Sequence, residues 1–367
     1  MNFYTKIDIP ASDLLINYKS QIAFFGSCFA DNISAQFASR KFNVLANPFG
    51  TVYNPLSIAK QIKAIADGKV FGEEDVFQDM RFGNSVCLGN RSSEEYGAAP
   101  WHCWDAHSSL SGKSREECIE KLDNAATQTR DFLRNADVVF ITLGTSFVYF
   151  LKSQVVANCH RQDPRLFERR MISIEEAADA LKEIVESLRK IKCDWIASPD
   201  VSAACNDERG ENRKLHIVFT VSPLRHMSDG AHNNTLSKAT LQLAVNKVIQ
   251  EITPPSVSVA RKDAETTTIS YFPSYEIVMD ELRDYRFYDD DMIHLSKTAE
   301  SYIFERMVET YSNEITREDI RKVEKFMKMA NHRIQDESST ATAEFLKKLH
   351  AEAAKLESQI AGLELNV

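Results

Sequence analysis

The sequence predicts an α/β fold, a doubly wound parallel sheet with helices on both faces. Two observations predict it. Short apolar runs without polar alternation recur along the chain, as in strands buried on both faces. Amphipathic helical patterns fall between these runs, and alternation of strand and helix is what such a sheet requires.

The first strand is predicted at residues 22–25 (IAFF). Phe29, Ile33 and Phe37 follow at four-residue spacing, one face of a helix. A weaker strand is expected at 44–46. Residues 72–125 break the rhythm. They are rich in Gly, Ser, Trp and His and read as an irregular insertion, a length of loop that is usually functional or disordered. Trp101 and Trp104 argue for order. Residues 138–143 (VVFITL) give the strongest strand, 175–191 a long amphipathic helix, 217–221 (IVFTV) the fourth strand, 236–249 another helix, and 269–272 (ISYF) the last strand.

The end of the chain differs. Val323, Phe326, Met327, Ala330 and Ile334 form a helical stripe, and residues 335–342 are polar and turn-like. Leu349, Ala353, Leu356, Ile360 and Leu363 then alternate spacings of four and three. This predicts an α/β domain over 1–312, with the insertion at about 72–125, followed by a helical hairpin over 313–367. The hairpin packs on the core or on a second subunit, which would make a homodimer.

Composition narrows the function. The 367 residues carry 44 Lys and Arg against 53 Asp and Glu, a formal net charge of −9. A nucleic-acid backbone needs a basic footprint, so nucleic-acid binding is not expected. No apolar run is long enough to span a bilayer, and the opening MNFYTKIDIP lacks the pattern of a secretory leader. The seven cysteines are odd in number and include no CxxC pair. That spacing fits reduced thiols in a cytoplasm rather than a zinc site or disulfide framework. The expectation is a cytoplasmic protein without membrane attachment, metal or cofactor.

Two short stretches carry chemistry. Gly26-Ser27-Cys28-Phe29-Ala30 lies directly after the first strand and before a helix. A hydroxyl there sits at the carboxyl edge of the sheet, where α/β ligand sites lie, and at a helix N-terminus that favours an oxyanion. The commoner use of such a serine is to cap the helix. Cys28 is a rival nucleophile, ranked second because its side chain should point away from that of Ser27. The second stretch, Asp291-Met292-Ile293-His294, follows the last strand and its loop. An imidazole that accepts a serine proton needs an acid at its other nitrogen, and a DxxH loop supplies both. Asp289 and Asp290 precede it as alternative acids. Arg225 and His226, after the fourth strand, share this edge as substrate-binding candidates or as solvated loop residues. Asp105, His107 and Ser108 imitate part of a triad on an irregular loop, where a substrate-lining role for His107 is preferred. Asn234 and Lys238 read as caps or surface. No glycine-rich phosphate loop follows the first strand, against nucleotide binding.

GSCFA at 26–30 resembles the signature of the GSCFA family. NPFGTVYNP from Asn47, ITLGTS from Ile141, TVSPLRH from Thr220 and YFPSYEIVMDELRDYRFYDDDMIH from Tyr271 resemble further blocks of it. These blocks are in turn similar to the SGNH (GDSL-like) hydrolases. That resemblance implies a three-layer α/β/α sandwich with a parallel, flavodoxin-like sheet. It implies Ser27 as nucleophile, His294 as base and Asp291 as the acid that orients it. It also implies an oxyanion hole from the N–H groups of Ser27 and Gly50, with Asn47 beside them among the substrate-binding candidates. The asparagine that would complete the hole after the third strand is replaced by Gly144-Thr145-Ser146-Phe147, so Thr145 or Ser146, or an amide from elsewhere, is expected to donate. The implied activity is hydrolysis of acyl esters, acetyl above all, on a small molecule or glycan carrier. O-acyl transfer by the same triad, or a non-catalytic binding module that keeps the fold, are the alternatives.

Overall fold

The computed structural model describes residues 5–81, 99–196, 214–252, 267–331 and 340–366. Its strands are β1 Gln21–Gly26, β2 Asn43–Ala46, β3 Val76–Gln78, β4 Trp101–Cys103, β5 Val138–Leu143, β6 Phe147–Leu151, β7 Gln154–Val156, β8 Phe167–Met171, β9 Leu215–Val221 and β10 Thr267–Tyr271. Its helices are α1 Cys28–Ser39, α2 Pro55–Ala66, α3 Arg115–Asn135, α4 Ile174–Ile196, α5 Ala231–Ile252, α6 Ser274–Glu276, α7 Lys297–Tyr311, α8 Glu314–Ala330 and α9 Thr340–Gln359. α6 runs on into a π-helical turn, Ile277–Glu281.

All five predicted strands form, and they make one sheet in the order β10-β9-β5-β1-β2. The register is parallel, with Ile217 of β9 opposite both Val139 of β5 and Ile269 of β10. Helices flank it, so the fold is α/β/α. In chain order the five strands stand 2-1-3-4-5, the flavodoxin-like order. β5 and β9 are buried at every residue, which is why neither alternates in the sequence. The chain leaves β1 toward β2 on one side and returns to β5 on the other. The crevice outside the carboxyl ends of β1 and β5 is therefore the topological switch point, where ligands bind in open α/β sheets.

The chain divides into two units. The sheet unit comprises Ala23–Asp31 and Leu45–Tyr275. Its core joins Phe25, Ile141, Phe219 and Ile269 of the sheet to Ile58 and Ile62 of α2, Leu122 of α3, Leu181 and Ile184 of α4 and Leu241 and Val245 of α5. The insertion is less irregular than its composition suggests. β3 and β4 pair antiparallel, and Phe77 stacks on Trp104 at 3.6 Å. Residues 115–125 open α3, capped by Ser114, whose hydroxyl accepts the Glu117 N–H. The helix buries only Cys118, Leu122, Ala126, Thr129 and Leu133, a stripe too thin to stand out among its charged residues. A small antiparallel sheet, β7-β6-β8, was equally hidden.

The second unit comprises Met1–Ile22, Asn32–Val44 and Glu276–Val367. The C-terminal helices belong to it, so the expected boundary at 312/313 does not separate them from the rest. α8 buries Thr316, Ile320, Val323 and Phe326, and Arg40 of α1's following turn meets its Glu324 at 2.6 Å. Ile334 of the predicted stripe lies outside the described residues, as do 335–339 of the predicted turn; 340–342 start α9. Leu349, Ala353, Leu356, Ile360 and Leu363 are all buried. Where the chain closes at Gly362, a Cβ would come within 2.8 Å of the Tyr18 carbonyl oxygen. α7 contributes a buried ion pair, Arg306 to Glu281 at 2.7 Å, and Arg306 also donates to the Ile7 carbonyl. Among the described residues no helix is long and apolar enough to cross a membrane.

Candidate active site

β1 ends at Gly26, whose φ of +132° only glycine adopts readily. The strand end presses on β5 so closely that a Cβ at Gly26 would lie 2.0 Å from the Thr142 carbonyl oxygen. Gly26→Ala is therefore expected to destabilise the fold by more than about 3 kcal/mol, from backbone strain and a clash with rigid backbone. A urea unfolding midpoint unchanged from wild type would refute this.

The turn is held by hydrogen bonds from the loop after β2. The Asn47 side chain accepts the Gly26 N–H at 2.8 Å and donates to Asp31 at 2.7 Å. Thr51 donates to the other Asp31 oxygen at 3.0 Å, and the Val52 N–H to the Gly26 carbonyl at 2.9 Å. Asn47 thus has both ends of its amide occupied within the protein. It braces the turn that carries Ser27.

Ser27 is fully buried, and its hydroxyl has no hydrogen-bond partner among the described residues. The Ala30 N–H bonds the Ser27 carbonyl, not the hydroxyl, so the serine does not cap α1 with its side chain. Cys28 beside it is only half-buried. Burial pushes its thiol up and so does Asp31, while the N–H groups of Cys28 and Phe29 at the helix start, and the Lys238 charge, act in the opposite direction.

The predicted oxyanion donors are engaged elsewhere. The Ser27 N–H points at the Thr142 carbonyl at 3.2 Å. Gly50, at φ +78°, gives its N–H to the Asn47 carbonyl at 2.7 Å. The Thr145 N–H bonds the Tyr53 carbonyl at 3.0 Å, as that of Gly144 does at 2.7 Å. Ser146 donates its N–H to Ser237 Oγ at 2.7 Å, and the Thr145 and Ser146 hydroxyls meet the same oxygen at 3.1 and 3.0 Å. The cause is that loops crossing a strand edge satisfy buried polar groups with each other. The N–H groups of Cys28 and Phe29, in the first turn of α1, face the Cys28 thiol.

His107 is brought against this loop. A Cβ on Gly50 would fall 2.2 Å from His107 Cβ, and the His107 N–H bonds the Phe49 carbonyl at 2.8 Å. The triad imitated by its neighbours does not form. Asp105 pairs with Lys60 at 2.6 Å, His107 accepts the Ser109 N–H, and Ser108 Oγ faces His160 Nδ1 at 3.3 Å. His226 stands edge-on to Tyr53 at 5.6 Å, and Arg225 precedes it half-buried.

Three residues read as caps or surface, or not singled out at all, are built into this edge. Asn234, Ser237 and Lys238 are buried on one face of α5 with Leu241. Lys238 Nζ donates to the carbonyls of Gly144 at 2.6 Å and Ser222 at 2.7 Å, tying the ends of β5 and β9 together. Burial pushes its ammonium down to about 7; the two carbonyls favour the charged form, as does Cys28. Lys238→Met is expected to lower stability by about 2–4 kcal/mol, because both carbonyls stay buried and lose their donor. Chemical denaturation checks this, and a loss under about 1 kcal/mol would contradict it. The available sequence signal was polar residues standing in the apolar stripe of a helix.

Asp291 and His294 belong to the other unit. Asp291 Oδ1 accepts the N–H groups of Ile293 and His294 at 2.9 and 2.8 Å, and Oδ2 accepts from His294 Nδ1 at 2.5 Å. Met292, at φ +56°, lets the loop fold back so that Asp289 N–H reaches the His294 carbonyl at 2.8 Å. Asp289 accepts the Asp290 N–H instead, so Asp291 is the acid that holds the imidazole. The His294 ring, followed by those two N–H groups, holds the Asp291 carboxyl down at about 2. His294 is half-exposed, and Asp291 takes only its Nδ1. Among the described residues no cluster of three His, Cys, Asp or Glu side chains could hold a metal ion.

A glycine-sharpened strand end with an uncapped serine, on the carboxyl edge of a 2-1-3-4-5 parallel sheet, defines an α/β protein with its ligand edge at the switch point. Residues 21–307 match the model of the GSCFA family, and the chain belongs to that family. No curated protein and no solved structure matches it.

Proposed function

We propose that the protein cleaves acyl esters by nucleophilic catalysis, with Ser27 as nucleophile, His294 as base and Asp291 as its orienting acid. The observation that carries this reading is the Asp291–His294 pair, in which a carboxylate fixed by two backbone N–H groups leaves the imidazole Nε2 open to accept a proton. Ser27 supports it as a hydroxyl at the switch point with no structural bond to break. In this reading Ser27 Oγ bonds the ester carbonyl carbon as its proton passes to His294. The tetrahedral intermediate expels the alcohol, which takes that proton, and water then releases the acid by the same steps in reverse roles. The resemblance to SGNH hydrolases favours a small acyl group such as acetyl, with a small molecule or glycan as carrier. If a second alcohol replaces water, the same chemistry is O-acyl transfer.

A second reading makes Cys28 the nucleophile. Its favouring observation is exposure: the thiol is half-buried where Ser27 is fully buried, and the N–H groups of Cys28 and Phe29 stabilise its thiolate. The test is reaction of the full chain with a fluorophosphonate and separately with iodoacetamide, with the adducts located by mass spectrometry and turnover of p-nitrophenyl acetate followed in parallel. A phosphonate adduct on Ser27 that abolishes turnover supports the first reading. Inactivation by iodoacetamide on Cys28 alone supports the second. No turnover and no adduct at either residue sinks both and favours a binding module.

A further inference from the structure

Acyl transfer needs donors for the oxygen of the tetrahedral intermediate, and the donors expected from the sequence are engaged in the fold. One side-chain donor on this edge is not. Asn234 is 2% exposed, and its Nδ2 has no hydrogen-bond partner among the described residues. Its Oδ1 accepts the His226 N–H at 2.9 Å, which fixes the rotation of the amide. One helical turn further on, the same face of α5 lies over the carboxyl ends of β5 and β9, through Lys238 to Gly144 and Ser222 and through Ser237 to Ser146. Asn234 precedes them on the helix, toward the start of α5, and the chain reaches that start directly from the end of β9 through residues 222–230. His226, whose N–H it holds, stands against Tyr53, and Tyr53 in turn accepts from Gly144 and Thr145.

A buried amide NH₂ without a protein partner is uncommon in folded proteins. The sheet unit holds a second such atom at the switch point, Ser27 Oγ. A hydroxyl without an acceptor and a carboxamide without one are what an ester carbonyl requires, one to attack its carbon and one to receive its oxygen. Resting on the acyl-ester reading above, we infer that Asn234 Nδ2 is a catalytic oxyanion donor. It supplies from α5 the carboxamide that the Gly144-Thr145-Ser146 turn lacks.

The test is steady-state hydrolysis of p-nitrophenyl acetate by the full chain carrying Asn234→Asp or Asn234→Leu, beside wild type, Ser27→Ala and Cys28→Ala. Asn234→Asp keeps an acceptor for the His226 N–H and puts a carboxylate oxygen in place of the donor, so it carries the test if the leucine variant fails to fold. The expected result is a fall in kcat of about 10²–10³-fold with KM within about threefold. A kcat within about threefold of wild type in Asn234→Asp, while a nucleophile variant is inactive, overturns the inference and leaves the acyl-ester reading standing. A rise in KM with kcat unchanged also overturns it, by showing ordinary substrate binding. A wild-type chain without turnover overturns both.

Discussion

Ser27→Ala is expected to lower turnover of an acyl ester by about 10⁴–10⁶-fold while leaving the thermal midpoint unchanged or slightly raised. The two halves of this result have separate causes. In the proposed reaction, loss of the hydroxyl removes the atom that would form the covalent intermediate, and what remains is binding and oxyanion stabilisation. The fold loses nothing, because the hydroxyl bonds to no other group and does not cap α1. Removing a fully buried hydroxyl that lacks a partner relieves a desolvation penalty, worth up to about 1 kcal/mol here. A serine kept for structure would behave in the opposite way, losing stability and keeping activity. Steady-state kinetics and a thermal melt on the same sample separate the cases. Retention of more than a tenth of wild-type turnover by Ser27→Ala, together with its loss in Cys28→Ala, would transfer the nucleophile role to Cys28.

The second large effect is expected at Asp291. Asp291→Asn should lower kcat by about 10³–10⁴-fold with the loop intact. The loop survives because the asparagine carbonyl oxygen can still accept the N–H groups of Ile293 and His294 that Asp291 Oδ1 accepts now. The other end of the side chain changes from acceptor to donor. It then faces His294 Nδ1 with an NH₂ group, which forces the ring proton onto Nε2 and leaves that nitrogen unable to accept one from the nucleophile. Because the carboxyl is held at about 2, Asp291 stays ionised through any practical assay range, and its own protonation cannot explain a fall in activity on mild acidification. The sign for stability follows from the same depression. The contribution is present above the unfolded value of about 3.9 and is lost as pH falls through about 2, a window absent in Asp291→Asn. Wild-type turnover in this variant would show that another carboxylate orients the base, and Asp289 and Asp290 would be tested next.

Most of the sheet was legible before any coordinates. β1, β2, β5, β9 and β10 are apolar runs because a parallel strand covered on both faces has no solvent side to record. α4 and α5 were legible because their apolar stripes repeat with the helical period. The Ser27 turn and the Asp291–His294 loop were legible for a related reason. Their chemistry lies within five consecutive residues, between elements whose types the pattern reveals. Expectation failed where polar segments carry thin apolar stripes. α3 and the β7-β6-β8 sheet bury so few side chains per turn that their periodicity sinks into the surrounding charge.

The site divides along the same line. Residue type and local spacing reported which side chains have the right functional groups: Ser27, Cys28, Asp291 and His294. They did not report which groups are already occupied. Gly50, Thr145 and Ser146 were expected as oxyanion donors and Asn47 as a substrate contact, and each bonds inside the protein, two of them to Ser237 from some ninety residues away. Asn234 and Lys238 read as caps or surface, and both are buried, Lys238 against the ends of two strands. The same holds for the C-terminal helices, which read as an appendage and fold in one unit with segments from the start of the chain. The physical reason is range. Hydrophobic periodicity is written over a few consecutive residues, because it records the direction in which a local element faces the core. A hydrogen-bond partner is chosen by whichever chain segment arrives there, and only the packed chain decides that.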